Sequence, residues 1–242
     1  MILTQAMKTR TLTFDADGYL LTGTLHLPDE KDPPVVIGAH GLYSSSQSPK
    51  QIALANECVR SGIAYFRFDH RGCGDSQGDF YKDTSLSARC DDLLHAVSTV
   101  KKEGFSCRNL GLFGSSMGGV VCMTAASELS VDTMVINAAP TTSDRLLDAV
   151  EKTDPAAAGA SVLFKHTLSF DLTRTLKNLH HILIFHGDAD DVVPIAQGRL
   201  IHEHATSPKR MIVFDNGDHV MSNPVHQKTF TRESVQWFRR YL

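Results

Sequence analysis

The sequence predicts an α/β fold: a mostly parallel sheet with an antiparallel hairpin at its N-terminal end and helices on both faces. Three observations predict it. The chain opens on two alternating segments joined by turn residues. Short, wholly apolar runs then recur, as expected of strands buried on both faces. Between them lie longer stretches with apolar residues at helical spacing, the strand–helix rhythm of a parallel sheet.

Residues 9–14 alternate, and Asp15-Ala16-Asp17-Gly18 supplies turn chemistry. Residues 19–27 alternate again, with Leu21, Gly23, Leu25 and Leu27 on one face, which predicts a hairpin. A polar, proline-bearing loop (28–34) leads into the continuous apolar run Pro34-Val35-Val36-Ile37-Gly38-Ala39-His40, read as a strand buried on both faces. Ile52, Ala55, Cys58 and Val59 then recur at helical spacing, with Gly62 placed to end the helix. Residues 64–69 read as a strand, and Leu86, Cys90, Leu93, Leu94, Val97 and Val100 mark one face of a long helix. A strand over 110–113 and a helix over 120–129 follow, then strands over 134–137 and 182–185. Pro194 is expected in the first turn of a helix reaching about residue 205. The last strand is expected at 210–214. Val235, Phe238 and Leu242, flanked by Trp237 and Tyr241, predict a closing amphipathic helix.

One segment breaks the rhythm. Residues 138–181 contain no strand candidate and far exceed the usual connection length. Their partly helical, fairly apolar content (Leu146, Leu147, Val150, Val162, Leu163, Phe164) reads as a lid inserted into a single domain spanning 1–242. The alternative is a helical excursion with no role.

Composition narrows the class. At 242 residues, with 42% hydrophobic and 21% charged residues, the chain reads as an ordinary globular domain with a sizeable core. The formal net charge is −3 and no basic block is present, so nucleic acid is not an expected partner. Neither a signal-peptide pattern nor a run of about 20 apolar residues is read, so no membrane span is expected. The five cysteines (58, 73, 90, 107 and 122) are odd in number and form no C-x-x-C. That argues against a disulfide framework or zinc knuckle and for free thiols in a cytoplasmic protein. Cys58, Cys90 and Cys122 fall in apolar helix patterns and are expected in the core.

The chemistry gathers around Gly114-Ser115-Ser116-Met117-Gly118, which matches G-x-S-x-G between a predicted strand and a predicted helix. A serine on so sharp a turn needs glycine on either side for strand and helix to approach closely. The register selects Ser116, because no glycine lies two residues before Ser115. A P-loop is rejected, since Val120-Val121 stand where Lys and Ser/Thr are needed. A dinucleotide turn is rejected too: several strands come earlier, and residues 133–137 end in no acid. An ordinary tight turn stays open on the motif alone.

Ligands of open α/β sheets bind at the carboxyl ends of the strands. Past successive strands come His40-Gly41-Leu42-Tyr43, then Asp69-His70-Arg71-Gly72-Cys73-Gly74-Asp75-Ser76, then Ser116. His186-Gly187-Asp188-Ala189-Asp190-Asp191-Val192-Val193-Pro194 and Asp215-Asn216-Gly217-Asp218-His219 follow. Serine, acid and histidine thus stand in that order, each just past a strand.

This combination resembles the α/β-hydrolase superfamily, over nearly the whole chain from His40 to His219. It is most similar to short-lidded cinnamoyl/feruloyl esterases and to the monoacylglycerol-lipase and serine-aminopeptidase-like group. Arg71-Gly72-Cys73-Gly74-Asp75-Ser76 resembles that group's R-G-x-G-x-S turn, and His186-Gly187-x-x-Asp190-x-x-Val193-Pro194 its acid loop. The resemblance implies Ser116 as nucleophile, His219 as general base and Asp190 as the acid that orients it, with Asp188 and Asp191 as competing neighbours. It implies an oxyanion hole made by the backbone N–H groups of Leu42 and Met117. Tyr43 is a candidate for lining the acyl pocket, with plain surface as the alternative.

The implied activity is hydrolysis of small to medium acyl or aryl esters, a small-molecule substrate, through an acyl-enzyme and without metal or organic cofactor. Acyl-CoA thioester hydrolysis and small amide or peptide hydrolysis are alternatives; scattered Arg145, Lys152, Lys165, Arg174 and Lys177 weigh against CoA. A non-catalytic ligand receptor on the same fold is a third. His180-His181 and the pair His202 and His204 do not share helix faces and are not expected to bind metal. His70, Arg71 and Asp75 are expected to brace a turn.

Overall fold

The computed structural model describes residues 8–144 and 166–242. Strands β1 (Lys8–Ala16) and β2 (Tyr19–Leu27) pair antiparallel, with Leu12 opposite Gly23 and Phe14 opposite Leu21. Their connection uses Asp17 (φ 54°) and Gly18 (φ 87°), both left-handed, as a two-residue hairpin turn demands. β2 also pairs antiparallel with β4 (Ala64–Phe68). β3 (Val35–Ala39), β5 (Leu110–Ser115), β6 (Thr133–Asn137), β7 (Ile182–Gly187) and β8 (Lys209–Phe214) complete an eight-stranded sheet in the order β1-β2-β4-β3-β5-β6-β7-β8. From β4 to β8 every neighbouring pair is parallel. Every residue of β3, β4, β6 and β7 is buried, which is why these strands appear in the sequence as short, largely apolar runs, with Arg67 of β4, Thr133 and Asn137 of β6 and His186 of β7 as buried polar members.

Helices cover both faces. α1 (Pro49–Arg60) and the C-terminal α6 (Pro224–Tyr241) enclose one core around Leu54, Cys58, Phe113, Phe185, Phe230 and Phe238. After the short α2 (Phe80–Asp83), α3 (Leu86–Lys102), α4 (Met117–Ala125) and α5 (Ile195–His204) enclose the other, around Leu93, Val97, Val120, Val121 and Ile201. α6 is long because Asn223 caps it, accepting from the Val225 N–H, with Pro224 opening its first turn. α4 starts at Met117, directly after Ser116, and ends at Ala125, short of the expected 129. Pro194 is the N-cap of α5 rather than part of its first turn. All five cysteines are buried and free, Cys73 and Cys107 included.

The predicted insertion is described only at its ends. Leu146, Leu147, Val150, Val162, Leu163 and Phe164, with Arg145, Lys152 and Lys165, lie outside the described residues. The flanks are tied together: Ser143 N–H donates to Phe170 O, Leu172 N–H to Thr141 O, and Thr142 bridges Asp171. Leu168, Leu172, Leu176 and Leu179 of the return leg are buried in the core beneath α3, α4 and α5. Among the described residues no helix is long and apolar enough to cross a membrane.

Candidate active site

Ser116 stands between β5 and α4 with φ 53° and ψ −122°, a backbone conformation worth about 1–3 kcal/mol of strain. The surroundings hold it there. Its N–H donates to Asn137 O at 2.8 Å. A Cβ at Gly114 would collide with the Gly118 carbonyl, and one at Gly118 with the Ala39 carbonyl. Glycine is therefore required because β3, β5 and the start of α4 touch backbone to backbone.

The structure brings the three distant candidates together. His219 Nδ1 lies 2.8 Å from Asp190 Oδ2, and its Nε2 lies 3.2 Å from Ser116 Oγ. Asp190 is buried, and its Oδ1 accepts from the Val192 and Val193 N–H groups at 3.0 and 2.7 Å. Asp188 and Asp191 are exposed. Asp218 instead accepts from the Ser222 N–H at 2.8 Å, which holds its carboxyl below the usual range. Under the acid loop lies His186, fully buried, its Nε2 donating to Val193 O at 2.8 Å. Burial lowers its pKa and keeps it neutral.

The loop after β3 is held from below. His40 is buried and accepts the His70 N–H on Nε2 at 3.1 Å, so its proton is on Nδ1, which donates to Gly41 O at 2.7 Å. Burial, aided by the neighbouring His70, holds its pKa well below the ordinary value. Arg89 of α3, fully buried, donates to His40 O and Gly41 O, each at 3.4 Å, and to Leu42 O at 3.1 Å. With these carbonyls turned toward α3, the Leu42 N–H is left without an acceptor among the described residues, and so is that of Met117. Leu42 lines the same cavity as Ser116 and His219; Met117 is buried behind them and contributes backbone only.

The R-G-x-G-x-S turn is a brace. Asp92 of α3 accepts from Arg71 Nε at 2.8 Å and the Arg71 N–H at 2.9 Å, and lies 3.3 Å from His70 Nδ1. Asp69 accepts from the Ser46 and Asp75 N–H groups at 2.6 and 3.1 Å. A Cβ at Gly74 would run into the Asp69 carboxylate. His70, Arg71 and Asp75 thus secure the neighbouring loops rather than face substrate.

The cavity has a volume of about 850 Å³, within the range of small-molecule sites. Tyr43 lines it, half exposed, its ring 5.3 Å from Phe80. Lys50 and Gln51 line it as well, from the first turn of α1, and no described residue of 138–181 does. Reading the sequence missed both side chains, along with Arg89. Among the described residues no three His, Cys, Asp or Glu side chains converge as metal ligands, and none of His180, His181, His202 and His204 lines the cavity.

An eight-stranded sheet of this order, with a strained serine between β5 and the helix that follows it, defines an α/β hydrolase. Residues 31–170, more than half of the chain, match the family model described as serine aminopeptidase, S33. The chain belongs to that hydrolase family. Among relatives, it is 26% identical to the uncharacterized protein YfhR of Salmonella typhimurium over 228 residues, covering 87% of this chain and 74% of that protein. It is 26% identical to the uncharacterized protein YqkD of Bacillus subtilis over 251 aligned positions, 97% and 80% of the two chains. Among solved structures, Est1E of Butyrivibrio proteoclasticus with bound ferulic acid superposes with a TM-score of 0.79 at 19% identity, covering 95% of this chain and 98% of that one. The Pyrococcus furiosus esterase Pf2001 gives 0.80 at 18% identity, with 98% and 93% covered. At such identities the likeness is one of fold.

Proposed function

We propose that the protein is a serine carboxylesterase acting on small to medium acyl or aryl esters, with Ser116 as nucleophile, His219 as general base and acid, and Asp190 as the orienting carboxylate. One observation carries the reading: an unbroken hydrogen-bonded run from Asp190 through His219 to Ser116 Oγ, at 2.8 and 3.2 Å, opening onto the cavity. His219 Nε2 takes the hydroxyl proton as Oγ attacks the ester carbonyl. The oxygen that becomes negative is received by the Leu42 and Met117 N–H groups, the latter at the positive end of α4. Collapse expels the alcohol, which leaves with the proton held by His219. Water then gives a proton to His219 and attacks the acyl-enzyme; the acid departs and Oγ regains its hydrogen. No metal or organic cofactor enters these steps.

Tyr43 is assigned to the wall against the acyl or aryl group. The segment 138–181 is assigned to the lid, anchored at its described ends. The ferulic acid held by Est1E is an aryl acid, the product class such an ester would give.

The test has two stages. A fluorophosphonate probe is expected to label the folded protein, and Ser116→Ala to abolish labelling; an unlabelled wild type supports the receptor alternative. Rates are then compared for p-nitrophenyl esters of increasing acyl length, acyl-CoA thioesters and aminoacyl amides. A preference of orders of magnitude for the thioesters or the amides overturns the carboxylesterase assignment.

A further inference from the structure

The cavity wall holds a cation that the proposed hydrolysis does not use. Lys50 and Gln51 lie on the first turn of α1 and line the cavity that holds Ser116 and His219, with the Gln51 amide turned inward, its Oε1 against Gly38 and Tyr65. Among the described residues, Lys50 Nζ makes a single hydrogen bond, to Ser115 Oγ at 3.3 Å, and has no carboxylate within ion-pair distance. Ser115 Oγ is shared, since Asn137 Nδ2 also donates to it at 3.1 Å. The nearby carboxylates are committed elsewhere: Asp190 to His219 and two backbone N–H groups, Asp218 to the Ser222 N–H. Gln51 is 1% exposed and packed against Tyr65, whose hydroxyl donates to its Oε1 at 3.4 Å. That leaves Gln51 Nε2 buried without a partner.

Among the described residues Lys50 Nζ keeps N–H donors unused beyond its bond to Ser115, and an anion in the cavity satisfies them. The helix end beneath them favours the same charge: N-cap Ser48 makes no side-chain cap, so the positive end of this twelve-residue helix is uncapped beside the cavity. Among the described residues that line the cavity none is Asp or Glu.

We propose that Lys50 forms a carboxylate-recognition subsite, and that the protein's substrates are esters carrying a free carboxylate beside the scissile bond. This deepens the carboxylesterase reading above and rests on it. The carboxylate bonds Lys50 Nζ, which orients the ester carbonyl toward Ser116. Burial pushes the Lys50 ammonium down to about 8, against the upward pull of Asp190 and Asp218, so a bound carboxylate also favours its charged form.

The experiment uses two matched substrate pairs. p-Nitrophenyl hemisuccinate against p-nitrophenyl butyrate places the charge on the acyl side; 4-acetoxybenzoate against p-nitrophenyl acetate places it on the alcohol side. In one pair, kcat/KM for the charged member, corrected for its intrinsic hydrolysis rate, is expected to exceed the neutral one by about tenfold or more. Lys50→Met is expected to collapse that ratio and Lys50→Arg to keep much of it. A merely structural role lowers both members and leaves the ratio standing, which overturns the subsite. Binding is read separately from chemistry by titrating monoethyl succinate and ethyl butyrate into Ser116→Ala protein. Tighter binding of the charged ester, lost when Lys50→Met is added, supports the subsite even if wild type fails to turn over esters. Equal binding overturns it, even where neutral esters are hydrolysed.

Discussion

Arg89→Met removes a guanidinium while keeping a side chain able to fill much of the space. Arg89 contacts Leu42 O at 3.1 Å, and His40 O and Gly41 O at 3.4 Å. An orphaned buried acceptor costs about 1–3 kcal/mol. Only the Leu42 contact lies in the usual N–H···O range, and Gly41 O keeps its bond from His40 Nδ1. The expected loss of stability is therefore roughly 2–4 kcal/mol, short of three full penalties. The kinetic effect runs through the peptide between Gly41 and Leu42. A trans peptide points its C=O and N–H to opposite sides. Holding Gly41 O toward Arg89 and His40 thus turns the Leu42 N–H away from them, toward the proposed oxyanion. Losing one such donor costs about 10²–10³ in kcat. With one anchor retained, a fall of about ten- to a hundredfold is expected, with KM changed by less than about threefold. Arg89→Lys should restore neither property, because an ammonium cannot span three carbonyls. The checks are urea unfolding and p-nitrophenyl butyrate kinetics on the same preparation. A folded Arg89→Met protein with wild-type kcat, or a loss confined to KM, refutes the reasoning.

Three further outcomes are expected. Gly118→Ala should cost about 1–3 kcal/mol in chemical denaturation, because its Cβ meets the carbonyls of Ala39 and His40 and must part β3 from α4; unchanged stability rejects the close approach. Asp190→Asn should lower kcat by about 10³–10⁴ by disturbing the tautomer and orientation of His219, and a loss below about tenfold rejects Asp190 as its partner. Burial holds His70 neutral, its pKa down to about 4, although Asp92 beside it pulls upward. The unfolded imidazole takes up a proton near pH 6.5 while the folded one does not until about 4, so this group removes stability as pH falls through that window. The loss approaches roughly 3 kcal/mol. Urea unfolding between pH 7 and 4.5, with an NMR titration of the His70 ring, checks the sign; a ring that protonates near 6.5 in the folded protein refutes it.

What could be read from the sequence follows from what periodicity records. β3, β4, β6 and β7 are buried on both faces, so their residues form largely apolar runs, interrupted at Arg67 and bounded by Thr133, Asn137 and His186. Ser116 was legible because its turn needs glycine at fixed offsets, and Asp190 and His219 because each follows a strand. The α1 pattern was legible only in part. Ile52, Ala55, Cys58 and Val59 suggested the buried face, whereas Gln51, Leu54, Ala55 and Cys58 are the buried residues. A buried glutamine looks like a solvated one until Tyr65 and the cavity are placed around it. Arg89 was hidden for a related reason: its partners are backbone carbonyls, which carry no residue identity, so a charge between apolar positions of α3 reads as surface. His26 is similar, buried on β2 where Arg67 Nε donates to its Nε2 at 2.9 Å.

These missed residues divide by side of the sheet, and the division separates two properties of the site. The supports of the oxyanion loop, Arg89 and Asp92, come from α3. The cavity is lined by the loop that Arg89 holds, through His40, Gly41, Leu42 and Tyr43, and from the α1 side by Pro49, Lys50 and Gln51, with Phe113 of β5 and Gln227 of α6. Ser116 lies at the junction, its backbone fixed by β5, β6 and α4 and its hydroxyl facing His219. The reacting atoms can therefore be held by one layer while another sets the chemistry of what is admitted. On the proposed assignments, changes at Arg89 are expected to alter how the carbonyl is received, and changes at Lys50 which esters reach it. The α1 cation is Lys50, in the wall of this cavity. Its position beside Ser115, one residue from the proposed nucleophile, confines any bound carboxylate to the neighbourhood of the scissile bond. That constraint favours short substrates over long acyl chains, because the recognised charge and the reacting carbonyl must both fit within the span between Lys50 and Ser116.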